Sequence, residues 1–553
     1  MPDPALRAAV GQILNVPEGV ALQQRDMRQL NNLAIPSMAI ADLTGLEHAA
    51  GLTTLVAIDN QISDLRPLAG LEGLRFLDLG GNQIEDLSPL QGLHNLEVLR
   101  LWGNRVRDVW PLAGLTQLRE LWLNDNRISS FSQLDGLQLE TLTKGDQLCD
   151  VSRLPSVPRV ENRSYPSAFG AWHLITNLPA ATEVEQLAKH DLYFSDPQFG
   201  LYFVEDDSGF YVAGDVEQAI RQRDDLLALN PNMITLVVVQ YYSGVRPDRY
   251  PEDWPLWLRD EEGNRVIDIW GEALLDFTLP ETQAWLFAQV EAVSRCGLYD
   301  GVFLDHWSEG LRLHDYRTLE EELEARDRIL RGIREIAGDD FLILVNSNHD
   351  KIPRWSQFVN GLFMETLPDL GIGFGSIGDL SEFVSAGYSP ALLGELEETL
   401  LWAESHLQEP RINALEGRAL TAEAEDSPRN RQWMRLFTTM SLTLSDGYSV
   451  LAEGSPHHYH YWYDFWDADL GHPVGAKGQH YRDQEGTYIR EFSNGWAVYN
   501  RSDASRVITF PERVSGVTSG VRDQRWHAIG DLDGEIYLKS SGIPADIDGG
   551  DFF

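Results

Sequence analysis

The chain has 553 residues, 85 acidic against 44 basic, and a formal charge of -41. That balance excludes nucleic acid and anionic membrane surfaces as partners, because their phosphates demand lysine and arginine. A chain of 553 residues also outgrows one hydrophobic core, so two to four folded domains are expected.

The first residues, Met-Pro-Asp-Pro-Ala-Leu-Arg, lack the basic-then-apolar run of a secretory signal. No later stretch reaches the ~18 apolar residues of a membrane span, so a cytoplasmic protein is the expectation if Met1 is the native start. Residues 1–50 read as a helical cap. From Leu52 a period of 22 residues takes over: Leu52, Leu74, Leu96 and Leu118 open each unit, and Asn60, Asn82, Asn104 and Asn126 follow in phase. Ile62, Ile84, Val106 and Ile128 keep the same register, with Pro67, Pro89 and Pro111 behind them. A repeat of this length and consensus is a leucine-rich-repeat solenoid over 51–150, one short strand per unit, with its asparagines satisfying the turns. The 22-residue form with Asp-Leu-x-Pro-Leu resembles bacterial internalin-type repeats. The concave positions Phe76, Arg100, Trp102 and Trp122 mix aromatic and charged groups, as surfaces that bind a protein or glycan do. The same tryptophans serve equally as docking points for the rest of the chain. Cys149 and Cys296 have no paired spacing, so both are expected as buried free thiols, with neither a disulfide framework nor a zinc site.

Beyond Tyr165 the period disappears. Eight apolar runs follow: 168–174, 191–194, 234–242, 301–305, 341–346, 361–365, 411–415 and 448–451, separated by amphipathic helices such as 281–296, 319–337, 392–406 and 428–442. Apolar strands alternating with helices are parallel strands covered on both faces, and this count predicts a (β/α)8 TIM barrel over 165–455. An open doubly wound sheet competes, but no Gly-x-Gly-x-x-Gly follows the first strand. Residues 456–486 connect over the barrel mouth. The tail 487–553 reads as a small β-sandwich, with strands at 488–492, 495–500 and 535–538.

Chemistry in such a barrel belongs to polar residues at the carboxyl ends of strands. The fourth run, Gly301-Val302-Phe303-Leu304, ends in Asp305, His306 and Trp307, and the sixth, Gly361 to Met364, ends in Glu365. Two carboxylates on one rim are what glycoside hydrolysis requires, one to attack or activate water and one to protonate the leaving oxygen. The Asp-Gly-Val-Phe-Leu-Asp strand and the Glu-ending strand resemble glycosyl-hydrolase-like proteins near the polygalactosaminidase family, in the α-galactosidase superfamily. Trp462-Tyr463-Asp464 and Arg490-Glu491-Phe492 extend the likeness into the tail. The resemblance implies Asp305 as nucleophile or base and Glu365 as general acid/base.

From rim position alone, Trp172, Tyr241, Tyr242 and Trp307 offer flat faces for a sugar ring, with His306 alongside. Asn346, Asn348 and Glu416 offer hydrogen bonds to hydroxyls, and Glu453 follows the eighth strand. The His457-His458-x-His460 cluster lacks the spacing of a known metal site, so no metal and no cofactor are expected, and the histidines read as loop contacts. The expected function is cleavage of a polysaccharide or oligosaccharide, with the repeat array as a recognition or docking surface. A non-catalytic carbohydrate- or protein-binding protein with a degenerate barrel is the alternative. An aldolase or isomerase ranks last, since Lys351 is the one lysine near a strand end.

Overall fold

The computed structural model describes residues 1–17, 19–206, 209–243, 250–268, 271–366, 387–420, 423–453 and 458–540. They fall into two compact units. The first comprises Met1–Ser152, Phe199–Arg223 and Arg295–Gly297; the second comprises Arg153–Gln198, Asp224–Ser294 and Leu298–Phe553. No helix among the described residues is long and apolar enough to cross a membrane.

The first unit is the solenoid. Its opening helix, Pro4–Ile13, is capped by Asp3, whose carboxylate accepts from the Ala5 and Leu6 N–H groups. The helical cap expected over 1–50 is shorter than that, because strand Asn32–Ala34 already pairs in parallel with Thr54–Val56. Leu30, Leu33, Ile35 and Ile40 are buried in phase with the later repeats, but Met38 stands where the asparagine belongs, which hides this rung from the consensus. Strands Phe76–Asp78, Val98–Arg100, Glu120–Trp122 and Thr141–Thr143 complete a six-stranded parallel sheet in chain order. Each interior asparagine binds backbone of its own and the preceding rung. Asn104, for example, donates to Leu79 O and Leu101 O and accepts the Ile84 N–H, each at 3.0 Å. The last rung is one residue short, so Gln147 takes the asparagine's place, accepting the Ile128 N–H at 3.1 Å and donating to Leu123 O at 2.9 Å.

A separate three-stranded sheet follows the last rung. The hairpin of Tyr202–Asp206 and Gly209–Gly214 pairs antiparallel with Gln147–Leu148, although its sequence lies far downstream. Within this unit Cys149 and Cys296 form a disulfide across 147 residues, which corrects the expectation of free thiols. Spacing could not reveal it, because only the folded chain brings Arg295–Gly297 to the end of the solenoid.

The second unit holds the barrel. Its strands are β1 (Phe169–Ala171), β2 (Leu192–Ser195), β3 (Ile234–Val238), β4 (Gly301–Leu304), β5 (Leu342–Asn346), β6 (Gly361–Glu365), β7 (Ala414–Arg418) and β8 (Tyr448–Ala452), all parallel and in chain order. A parallel bridge between Ala168 and Ser449 closes the ring. All eight expected runs therefore form strands, but β7 runs three residues further than its apolar run, through Glu416 and Arg418. The helices behind them follow the sequence closely: Pro280–Arg295, Leu319–Ala337, Pro390–His406 and Pro428–Leu444. Thr318 with Glu321 forms a capping box, and Ser389 and Ser427 cap the helices that begin with Pro390 and Pro428.

The barrel interior is plugged by Phe169, Phe194, Phe303 and Phe363, all buried, with ring centroids 4.6 to 6.0 Å apart. Side chains alternate along a strand, so the residues two beyond Phe303 and Phe363 occupy the next layer up, above the aromatic floor. Those residues are Asp305 and Glu365.

The C-terminal region, expected as a β-sandwich, is one antiparallel sheet: β9 (Thr487–Phe492), β10 (Gly495–Asn500), β11 (Arg506–Gly516), β12 (Gln524–Ile529) and β13 (Asp533–Lys539), in the order β9-β10-β13-β11-β12. A register shift between Thr509 and Val514 lets β11 pair with both β12 and β13 around a core that includes Ile508, Phe510, Val514 and Tyr537. Residues 541–553 of the expected domain lie outside the described residues.

Candidate active site

Asp305 leaves β4 at a half-exposed position. Its Oδ1 accepts the His306 N–H at 2.9 Å and the Asn346 Nδ2–H at 2.8 Å. His306 has φ +52°, a left-handed turn that brings its Nε2 to 3.5 Å from Asp305 Oδ2. The turn is held from outside: the Tyr241 hydroxyl donates to His306 O at 3.0 Å, and the Trp307 N–H donates to Asn346 O.

Glu365 ends β6. Its Oε2 accepts from the same Asn346 nitrogen at 3.1 Å, and its Oε1 is bonded to the Arg418 guanidinium. Arg418 also reaches Glu416 Oε1 at 3.1 Å, and His458 Nδ1 lies 2.8 Å from Glu416 Oε2. Burial alone would push the His458 imidazole down, but Glu416 beside it, with Glu365 beyond, outweighs that and leaves it above its ordinary range. Arg418 is likewise held charged, against the cost of its burial, by Glu416 and Glu365. The His458 ring lies 4.5 Å from Trp172, whose edge rests on Phe194 and Phe303. His173 and Tyr459 stack next to them at 4.0 Å, closing the seam between β1 and β8.

Glu365, Glu416 and His458 offer ligand atoms that all lie within 4.8 Å of one another, the spacing of a metal site. The guanidinium of Arg418 already contacts both carboxylates and supplies the positive charge a metal would bring. The donor set therefore fits an organic ion cluster better than a metal centre.

Several expected substrate contacts are placed elsewhere by the fold. Trp307 is fully buried against Tyr241 and Trp355, and Tyr241 is buried between Trp307 and Phe277, so neither presents a face to a sugar. The side chains that follow β3 and β4 pack against one another and against Phe277 and Trp355 instead of lining the mouth. Glu416 is buried in the Arg418 and His458 cluster, and the amide of Asn346 is committed to the two carboxylates, so neither is free for hydroxyls. Trp172, Tyr242, His306 and Asn348 are half-buried beyond the ends of β1, β3, β4 and β5. Burial and the nearby Asp305 push the Tyr242 phenol well up, so it stays a neutral donor. Glu453 is held by the Thr176 hydroxyl at 2.7 Å.

Arg418 was missed because β7 read as ending at Leu415. The Glu416-x-Arg418 spacing, which puts both on one face of a strand, was the available signal. Of the histidine cluster, His457 lies outside the described residues, and His460 is buried with its Nε2 2.8 Å from that of His190.

On the solenoid, Arg100 lies between the rings of Phe76 and Trp122, with centroids at 5.2 and 4.4 Å, and pairs with Glu120 at 2.8 Å. Trp102 packs flat over Gly80, where any Cβ would collide with its indole.

Residues 51–92 and 94–136 match the leucine-rich repeat family, and residues 239–496 match hypothetical glycosyl hydrolase family 15. Among solved structures, the chain is similar to internalin C2 from Listeria monocytogenes at 27% identity, covering 43% of this chain and 84% of that one with a TM-score of 0.26. It is similar to an Anoxybacillus alpha-amylase at 13% identity, covering 69% and 98% with a TM-score of 0.36. The glycoside hydrolase domain of a PelA variant from Pseudomonas aeruginosa is 12% identical, covering 52% and 95% with a TM-score of 0.34. No curated protein matches the chain.

Proposed function

We propose that the barrel hydrolyses glycosidic bonds in a polysaccharide or oligosaccharide, with Asp305 as nucleophile and Glu365 as general acid/base. The observation that carries this reading is the single Asn346 nitrogen that bonds both carboxylates, at 2.8 and 3.1 Å. Those lengths keep the two facing oxygens within about 6 Å, and about 5 Å apart if each N–H points at its acceptor. Retaining glycosidases separate their carboxylates by about 5–5.5 Å, whereas inverting ones leave about 6.5–9.5 Å for a water.

In the first step Asp305 bonds to the anomeric carbon as the leaving oxygen departs with a proton from Glu365. Water then attacks the same carbon, gives its proton to Glu365 and frees Asp305. Trp172 offers a ring face for the sugar, while Tyr242, His306 and Asn348 line the rim with hydrogen-bonding groups. The match of residues 239–496 to a glycosyl hydrolase family supports the same chemistry. The solenoid face of Phe76, Arg100, Trp102 and Trp122 is then an accessory surface that recognises a protein or glycan.

The test is to make Asp305→Asn and Glu365→Gln and to follow release of reducing ends from a panel of soluble polysaccharides. Each variant is expected to lose about 1000-fold or more in kcat/KM on the polymer the parent cleaves. Unchanged turnover in both variants would sink the assignment.

A further inference from the structure

Asn346 ends β5, buried between the ends of β4 and β6. A side-chain amide carries two N–H donors on one nitrogen and one carbonyl oxygen. All three are committed here: one N–H toward Asp305 Oδ1 at 2.8 Å, one toward Glu365 Oε2 at 3.1 Å, and the oxygen to the Asn348 N–H at 2.9 Å. The third bond decides which way round the amide sits. Exchanging its oxygen and nitrogen would set an oxygen against two carboxylates and an NH2 against an N–H. Asn348 is itself left-handed, at φ +54°, which turns its N–H back onto Asn346. The backbone carbonyl of Asn346 also accepts the Trp307 N–H, tying the exit of β4 to the same residue.

We propose that Asn346 is a positioning residue, whose amide sets the separation and the facing of the Asp305 and Glu365 carboxylates. Its kinetic consequence rests on the hydrolase reading above; its hold on the two carboxylates does not. With the amide gone, the two carboxyl groups face each other across the mouth with no donor between them. Glu365 then has Arg418 as its remaining strong partner, on Oε1, and is drawn toward the side where Arg418 also holds Glu416.

Two near-isosteric substitutions separate this role from simple packing. Asn346→Leu removes every donor, whereas Asn346→Asp regains one donor when its carboxyl is protonated. On a polysaccharide the parent cleaves, both are expected to lower kcat by about 100-fold at neutral pH. KM should stay within about threefold. Asn346→Asp alone should regain activity as the pH falls, moving its profile to the acid side. Equal losses in both variants at every pH, or a raised KM with kcat kept, overturn the proposal.

A second measurement needs no substrate. Thermal midpoints are compared at neutral pH for the parent, Asn346→Leu, Asp305→Asn and the double variant, with Asn346→Asp in place of Asn346→Leu if the latter does not fold. Replacing one of the two facing carboxyl groups by an amide, which itself supplies a donor, is expected to restore most of the midpoint lost at position 346. Additive losses overturn the proposal. A parent that cleaves no polysaccharide counts against the hydrolase reading, and the midpoints alone then decide on Asn346.

Discussion

Asn104 in the solenoid and Asn346 in the barrel mouth are both buried, both use two N–H donors and one acceptor, and serve different ends. The amide of Asn104 is spent on the backbone of neighbouring rungs, and Asn60, Asn82, Asn126 and Gln147 repeat its work. The amide of Asn346 is spent on two carboxylates from neighbouring strands, those of Asp305 and Glu365. Polar groups that maintain a fold recur with its period and cost stability when removed. Polar groups that maintain a site occur once, and gathering like charges there costs stability to keep.

The largest effect that would sharpen this contrast concerns the one covalent tie in the solenoid unit. Reducing Cys149–Cys296, or replacing both residues by serine, opens a loop of 147 residues. Stability should fall by about 4–5 kcal/mol in a denaturant titration with and without reductant. Thiol counting should find two reactive groups only after reduction; two free thiols in the untreated protein would contradict the disulfide.

Next comes the direct comparison. Asn104→Ala strands the Ile84 N–H and two carbonyls inside the solenoid and should cost about 3 kcal/mol. Asp305→Asn removes a like charge from the mouth and should leave stability unchanged or raise it by up to about 1 kcal/mol while abolishing turnover. Equal destabilisation by the two changes would break the comparison.

A third test uses acid. His190 and His460 share one contact between ring nitrogens at 2.8 Å, deep in the second unit. Burial holds His190 well below its ordinary value and pushes His460 down to about 4. The unfolded chain binds these protons more readily than the folded one, so stability is complete above about pH 6.5 and declines as the pH falls toward 4. The loss from one such histidine is about 2–3 kcal/mol, measured by urea midpoints between pH 7 and pH 4.5, and His460→Asn should flatten that slope. His458 has the opposite sign. Its pKa is raised, so its contribution is complete below its unfolded value and disappears as the pH rises through its folded one. The smallest effect is expected from Arg100→Ala, whose partly exposed ion pairs and ring contacts are worth no more than about 1 kcal/mol to the fold.

How much of this was legible depended on whether a residue's role was local. Leu52 through Leu118 and the asparagines between them announced the solenoid, because a rung's geometry recurs with the chain's own period. The first rung reads as part of the cap because Met38 replaces the asparagine, although the buried positions around it keep their phase. Asp305 and Glu365 were legible because a carboxylate closing an apolar strand stands out. Arg418 was not, since two polar residues in succession on one face looked like the end of β7 rather than its continuation.

The sequence by itself therefore determined the repeat, the eight strands, and which of them end in a carboxylate. Backbone periodicity decides these, and it depends only on near neighbours in the chain. The tertiary structure alone decided that Cys149 meets Cys296, that Trp307 and Tyr241 are buried, that Arg418 divides itself between two glutamates, and that Asn346 stands between Asp305 and Glu365. Each joins separate stretches of chain or follows from how side chains fill the space between strand ends. That depends on how the strands are staggered when the barrel closes, and no local pattern in the chain records it.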